Sequence, residues 1–163
     1  MFHRILSTSL LALLPFSAFA ADPVMLKSVE VQITLADLTN PEAATQFATV
    51  ADDLRNAIAA LMIDRGDAKD GVKIKIDISE LELSNSFTET FNLADTRLVG
   101  NVQVIGTAAN PDSANYDLTV DVNSAMPFFP EGTEVKTLPA DSKVYYATLV
   151  NTFANAVVEK LGE

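Results

Sequence analysis

Cysteine and tryptophan are absent from the 163 residues, and histidine occurs once, at His3. Without thiols the chain forms no disulfide, offers no thiolate nucleophile and builds no Cys-ligated zinc or iron–sulfur centre. Basic residues are scarce too: 11 Lys and Arg stand against 22 Asp and Glu, a formal net charge of −11. A sequence-independent nucleic-acid binder needs clustered Lys and Arg to displace phosphate counterions, so the balance excludes that class. It equally disfavours unassisted docking on anionic membranes. The acids are scattered along the chain rather than run together, which reads as solubilising surface. Beyond residue 20 no apolar run approaches the roughly 18 residues of a transmembrane helix.

What is present begins with a short basic start, His3 and Arg4, an apolar stretch from Ile5 to Phe16, and Ala18-Phe19-Ala20. This is the pattern of a secretory signal with an A-x-A site, and it predicts cleavage between Ala20 and Ala21. The apolar stretch is too short to span a bilayer, and Pro15 interrupts it. No Cys follows the site to carry a lipid. The expected product, residues 21–163, is exported to a bacterial periplasm. It has lost the lone His and one Arg but no acid, so it is one charge more negative. Without His and Cys, Ser-His-Asp and Cys-His catalysis fall away, as do imidazole and thiolate metal sites. The product is expected to be non-enzymatic and to need no cofactor.

Residues 21–26 read as a lead-in with Pro23. From 27 to 35, Val29, Val31, Ile33 and Leu35 alternate with polar residues, the period of a half-buried strand. Asn40-Pro41-Glu42 then opens a helix predicted over 41–65, with Asn as cap and Pro at the first turn. Phe47, Val50, Leu54, Ile58 and Leu61 recur at helical spacing, and Gly66 supplies a stop. A second strand over 72–83 carries Val72, Ile74, Ile76 and Ile78 on one face. Leu81 and Leu83 are out of phase with these, which predicts a β-bulge at Ser79-Glu80. A polar connection over 84–96 holds Phe87, Phe91 and Leu93. Strands over 97–106 (Leu98, Val102, Val104 inward) and 115–123 (Tyr116, Leu118, Val120, Val122 inward) flank the turn Asn110-Pro111-Asp112. A long connection from Ser124 to Ala140 contains Pro127, Pro130 and Pro139. The chain closes with a helix over about 141–161, capped by Asp141 or Ser142, with Tyr145, Leu149, Phe153, Ala156 and Val157 as its stripe.

The order β-α-β-β-β-α places the first two strands parallel across a right-handed crossover and the last three in an antiparallel meander. One polar face on every strand predicts a two-layer α+β sandwich: a four-stranded mixed sheet with both helices on one side and water on the other. Residues 27–163 are expected to form one domain.

Three features carry candidate chemistry. Glu80 and Glu82, two apart beside the bulge, would suit a carboxylate-dependent hydrolase, though acids fall on a solvated strand face just as readily. Asp64, Asp67 and Asp70 offer oxygen ligands for calcium. They lack the alternate spacing and distal Glu of an EF-hand, and Arg65 and Lys69 lie among them, so the stretch reads as a polar turn. Arg65-Gly66-Asp67 is too short a match to imply adhesion. The third feature is Met126-Pro127-Phe128-Phe129-Pro130 in the long connection. Exposed, Met126, Phe128 and Phe129 would form a preorganised apolar contact for a partner, with Phe87 and Phe91 as companions; folded back, they would cover the core.

The terminal helix reads Tyr145-Tyr146-Ala147-Thr148-Leu149-Val150-Asn151-Thr152-Phe153-Ala154. With the order β-α-β-β-β-α it resembles a group of small bacterial envelope accessory proteins with two helices packed on a four-stranded sheet. Some are auxiliary lipoproteins of outer-membrane transport and assembly machines, including the small lipoprotein that partners the lipopolysaccharide translocon. The resemblance implies an accessory role in envelope transport or assembly, exerted through an unidentified protein partner. Those proteins usually carry a lipidated Cys after the signal, which this chain lacks, and none of their binding residues maps onto it. The residues themselves also allow a carrier or sensor of a small apolar ligand held between helices and sheet.

Overall fold

The computed structural model describes residues 23–33, 49–66, 68–82, 97–107, 113–138 and 142–162. Its main elements are β1 (Leu26–Ile33), α1 (Val50–Leu61), β2 (Val72–Glu82), β3 (Arg97–Ile105), β4 (Ala114–Asp121), α2 (Val122–Ala125) and α3 (Lys143–Lys160). The strands lie in the order β1-β2-β3-β4. β1 pairs with β2 in parallel, and the β2–β3 and β3–β4 pairs are antiparallel. This is the expected α+β sandwich: one crossover followed by a meander.

The period-two pattern decides which face is covered. Val72, Ile74, Ile76 and Ile78 on β2 are buried with Leu98, Val102 and Val104 on β3, while Lys75, Asp77 and Gln103 point to solvent. α1 packs on β1 and α3, and α3 packs on β3 and β4, so one layer of helices covers the apolar face. The predicted bulge is present: Ile78 pairs with Gly100, and Glu80, two residues on, pairs with Val99. A second irregularity lies in β1 between Leu26 and Ser28. It lets Leu26, expected in the lead-in, reach the core as the first buried residue of the strand.

The end of the first helix differs from expectation. The first half of the predicted 41–65 helix lies outside the described residues. The described part stops at Leu61, and a 3-10 turn follows over Ile63–Arg65. That turn satisfies the terminal carbonyls, with Met62 N donating to Ile58 O (3.1 Å) and Arg65 N to Met62 O (2.9 Å). Gly66, at φ −81°, is therefore not the left-handed stop it resembled. The core face continues 50, 54, 58, 62 in steps of four, so Met62 is fully buried and Leu61, 41% accessible, is not part of the stripe.

In α3, Tyr145, Leu149, Phe153 and Val157 are buried as expected, and Thr148, Val150, Thr152 and Ala154 widen the face because the helix meets sheet and α1 together. Ala156 is only half-buried. The two buried threonines return their hydroxyls to the carbonyls four residues back, Thr148 to Val144 (2.8 Å) and Thr152 to Thr148 (2.7 Å), so neither polar group is stranded. Ser142 caps α3, its Oγ accepting from Tyr145 N at 3.4 Å.

A polar clamp joins the helices. Tyr146 Oη donates to Asp53 Oδ2 at 2.6 Å, and Thr49 Oγ1 donates to the same oxygen at 2.8 Å. Burial, reinforced by the Asp53 carboxylate, pushes the Tyr146 phenol well above its ordinary value, so the hydroxyl stays a donor. Tyr146→Phe is expected to cost about 1 kcal/mol in urea unfolding without changing the fold.

Candidate functional site

β4 ends at Asp121, two residues earlier than its alternation suggested, because Asp121 becomes a helix cap. Its backbone is extended, and its Oδ1 accepts from Ser124 N at 2.8 Å. Ser124 Oγ in turn accepts from Asp121 N at 2.9 Å, completing a reciprocal capping box. Val122, the last inward residue expected of the strand, is buried in the first turn of α2 with Ala125. The connection expected over 124–140 therefore has structure of its own: α2, a 3-10 turn over Met126–Phe128 and another over Val135–Thr137.

Backbone chemistry then sets which side chains face out. Pro127 sits in the first turn of the 3-10 segment, where its fixed φ suits the helix and its missing N–H costs nothing. Phe129 is extended (φ −67°, ψ 143°), as a residue before proline prefers. A tight turn follows, with Thr133 N donating to Pro130 O at 3.0 Å. Gly132, at φ +81°, occupies its third position, where a side chain would be strained. Val135 is buried beyond it.

The two adjacent phenylalanines consequently part. Phe129 turns inward onto the core and meets Tyr145 with ring centroids 5.8 Å apart and planes at 47°, a tilted pair. Phe128 is 50% accessible and Met126 is 51% accessible. Phe128 is thus the exposed ring of the pair, and Phe129 is the one that folds back on the core. Met126 and Phe128 form the outward tip of a turn anchored by Val122, Ala125, Phe129 and Val135.

The cap is electrostatically tuned. The Ser124 backbone N–H, then the Ser124 hydroxyl, hold the Asp121 carboxyl below its ordinary value of 3.8. A carboxyl depressed on folding stabilises the folded state fully above its unfolded value and loses that contribution as pH falls through the folded value. Asp121→Ala is expected to destabilise by about 1 kcal/mol at neutral pH, with the deficit vanishing in acid below the ordinary carboxylate range. Urea midpoints measured against pH check both.

The other candidates are placed as follows. Phe87 and Phe91 lie outside the described residues, as do residues 1–22. Glu80 and Glu82 pair along the backbone with Val99 and Arg97; their side chains are outside the description. Asp64 and Asp70 are exposed, and Asp67 is not described. Among the described residues no three His, Cys, Asp or Glu side chains gather as a metal site, and no helix is long and apolar enough to cross a membrane.

No protein-family model matches the sequence, and no curated protein matches it. Among solved structures, a Caulobacter crescentus CB15 protein assigned as a lipoprotein is similar over 83% of this chain and 88% of its own, at 11% identity and a TM-score of 0.42. A variant of PelC from Paraburkholderia phytofirmans, a dodecamer, is similar over 82% of this chain and 94% of its own, at 9% identity and a TM-score of 0.34. Likeness at this level establishes neither family nor function.

Proposed function

We propose that this is a non-enzymatic accessory domain of the bacterial cell envelope that works by binding a partner protein through Met126 and Phe128. One observation carries the reading: two large apolar side chains, each about half accessible, project from a turn that a capping box, Pro127, three buried anchors and the half-buried Phe129 hold in place. Apolar side chains on a preorganised turn suit a protein contact, because little conformational entropy is lost when they dock. The signal-like residues 1–20 support export, and a sequence without His or Cys beyond them supports a role other than catalysis. Among the described residues no observation favours the apolar-ligand carrier, since Leu54, Ile58, Ile74, Tyr145 and Phe153 occupy the interlayer space where such a ligand would sit.

The double variant Met126→Ser plus Phe128→Ser tests the reading. Both side chains are half in water, so it is expected to keep its urea midpoint within about 1 kcal/mol of wild type. In chemical crosslinking of intact cells it is expected to lose an adduct that the wild type forms, with a drop in affinity of at least about tenfold. An adduct of unchanged yield in the folded double variant would refute the assignment.

A further inference from the structure

The open face of the sheet is poorer in strand-forming residues than a merely solvated face needs to be. Asn and Asp are depleted in strands because their side chains compete for the backbone. Here Asp77 stands mid-β2, Asn101 mid-β3, and Asn115 and Asp117 on β4. The register lines them up across all four strands. Glu30 pairs with Lys75, Lys75 with Gln103, and Gln103 with Asn115; one step along, Gln32 pairs with Asp77, Asp77 with Asn101, and Asn101 with Asp117. Where a sequence sets aside local propensity at adjacent positions, a function is the usual compensation.

These rows frame a shallow depression of about 350 Å³ lined by Glu30, Gln32, Lys75, Asp77, Asn101 and Gln103 with Ile76 between Lys75 and Asp77, within the size range of small-molecule sites. Asn101 Nδ2 donates to Asp117 Oδ1 at 2.9 Å, which fixes the plane of the amide. Lys75 Nζ lies 3.7 Å from Glu30 Oε2 and offsets one of the two lining carboxylates. Apart from Ile76 the lining is three carboxamides, two carboxylates and one ammonium, with one net negative charge and both donors and acceptors. Two carboxylates repel an anion. The ammonium, and the absence of a three-acid group among the described residues, disfavour a divalent cation. An apolar ligand would displace water from these polar groups without replacing its hydrogen bonds. A neutral polyol satisfies them: each hydroxyl donates to a carboxylate or amide oxygen and accepts from an amide or ammonium.

We propose that this face binds a neutral saccharide, with Asp77, Asn101 and Gln103 at the centre of the site. It lies on the opposite side of the sheet from the helix layer on which the Met126–Phe128 turn rests, and it does not depend on that turn's function. Binding is shallow and lacks an aromatic platform, so the affinity expected is millimolar.

Titrating the purified chain and following its backbone amide resonances tests this directly. The probes are glucose, galactose, mannose, N-acetylglucosamine, maltose, cellobiose and chitobiose, with phosphate and calcium chloride as ionic controls. At least one saccharide is expected to shift the amides of residues 75–77 and 101–103. Asp77→Thr plus Asn101→Thr, which places strand formers at both positions, is expected to keep the fold and weaken that binding by about tenfold or more. Three results would each overturn the proposal. These are no saccharide response on this face up to about 50 mM, equal binding by the folded double variant, or a response there to phosphate or calcium alone.

Discussion

Phe153→Ala is expected to destabilise the protein by about 3–5 kcal/mol, the largest effect of any single substitution considered. The ring is fully buried on α3. Its Cζ lies 3.3 Å from where a Cβ would stand on Gly100 of β3. The ring thus reaches the sheet at the one inward position of that strand without a side chain, and truncation leaves a void that flanking Ile78 and Leu98 fill only in part. Since a domain of this size is stable by roughly 5–15 kcal/mol, such a loss takes a large share of the total. Equilibrium urea unfolding reads it as a fall in midpoint with an unchanged slope. The converse substitution, Gly100→Ala, meets Asp77 O at 3.1 Å, Ile78 Cδ1 at 3.2 Å and the Phe153 ring. Trimming the ring in Phe153→Leu relieves one of these contacts, so the two changes together are expected to cost less than their sum.

Gly71→Ala comes second, at about 3 kcal/mol, the upper end of the range for overpacking. A Cβ there would stand 2.7 Å from Leu26 C, 2.7 Å from Met25 O and 2.8 Å from Lys27 N. All three are backbone atoms, so no side chain can swing aside. The start of β1 must move, and with it the bonds from Val72 N to Met25 O (2.8 Å) and Ala68 N to Leu26 O (3.1 Å) that seat β1 against β2. The cause is crowding rather than backbone conformation, because Gly71 does not have a positive φ. Gly132→Ala, by contrast, has open space around its Cβ and is strained only by φ. Urea unfolding of the two alanine variants is expected to show the larger loss at position 71, accompanied by earlier hydrogen exchange of the Val72 amide.

The layer order is legible in the sequence because it rests on periodicity. Strict alternation in β2, β3 and β4 identifies the buried face, and the phase slip after Ile78 locates the bulge. Features that depend on contacts distant in sequence are not legible. Leu26 sits before the alternation begins and reaches the core only through a register shift. Met62 replaces Leu61 because the helix keeps to steps of four, whereas the two residues look equivalent in a hydrophobic run. The close approach at Gly71 is made by β1, more than forty residues upstream.

The candidate site is half legible. Composition singles out residues 126–130, but which of two adjacent phenylalanines faces out depends on a cap at Asp121 and an extended residue before Pro130, neither visible as a period. A signal for the open sheet face is present but easily overlooked. Asp77, Asn101 and Asp117 look like ordinary outward polar residues, although a solvated strand has no need of side chains that disfavour it.

The most direct measurement places a photo-crosslinking amino acid at position 128 or 126 in living cells and compares it with the same probe at Thr137 and Asp117, which are exposed elsewhere on the surface. The partner-contact account predicts one discrete protein adduct, strong at 128, present also at 126 and absent from 137 and 117. Equal adducts at all positions, or none at 126 and 128 while the protein is folded and exported, would contradict it.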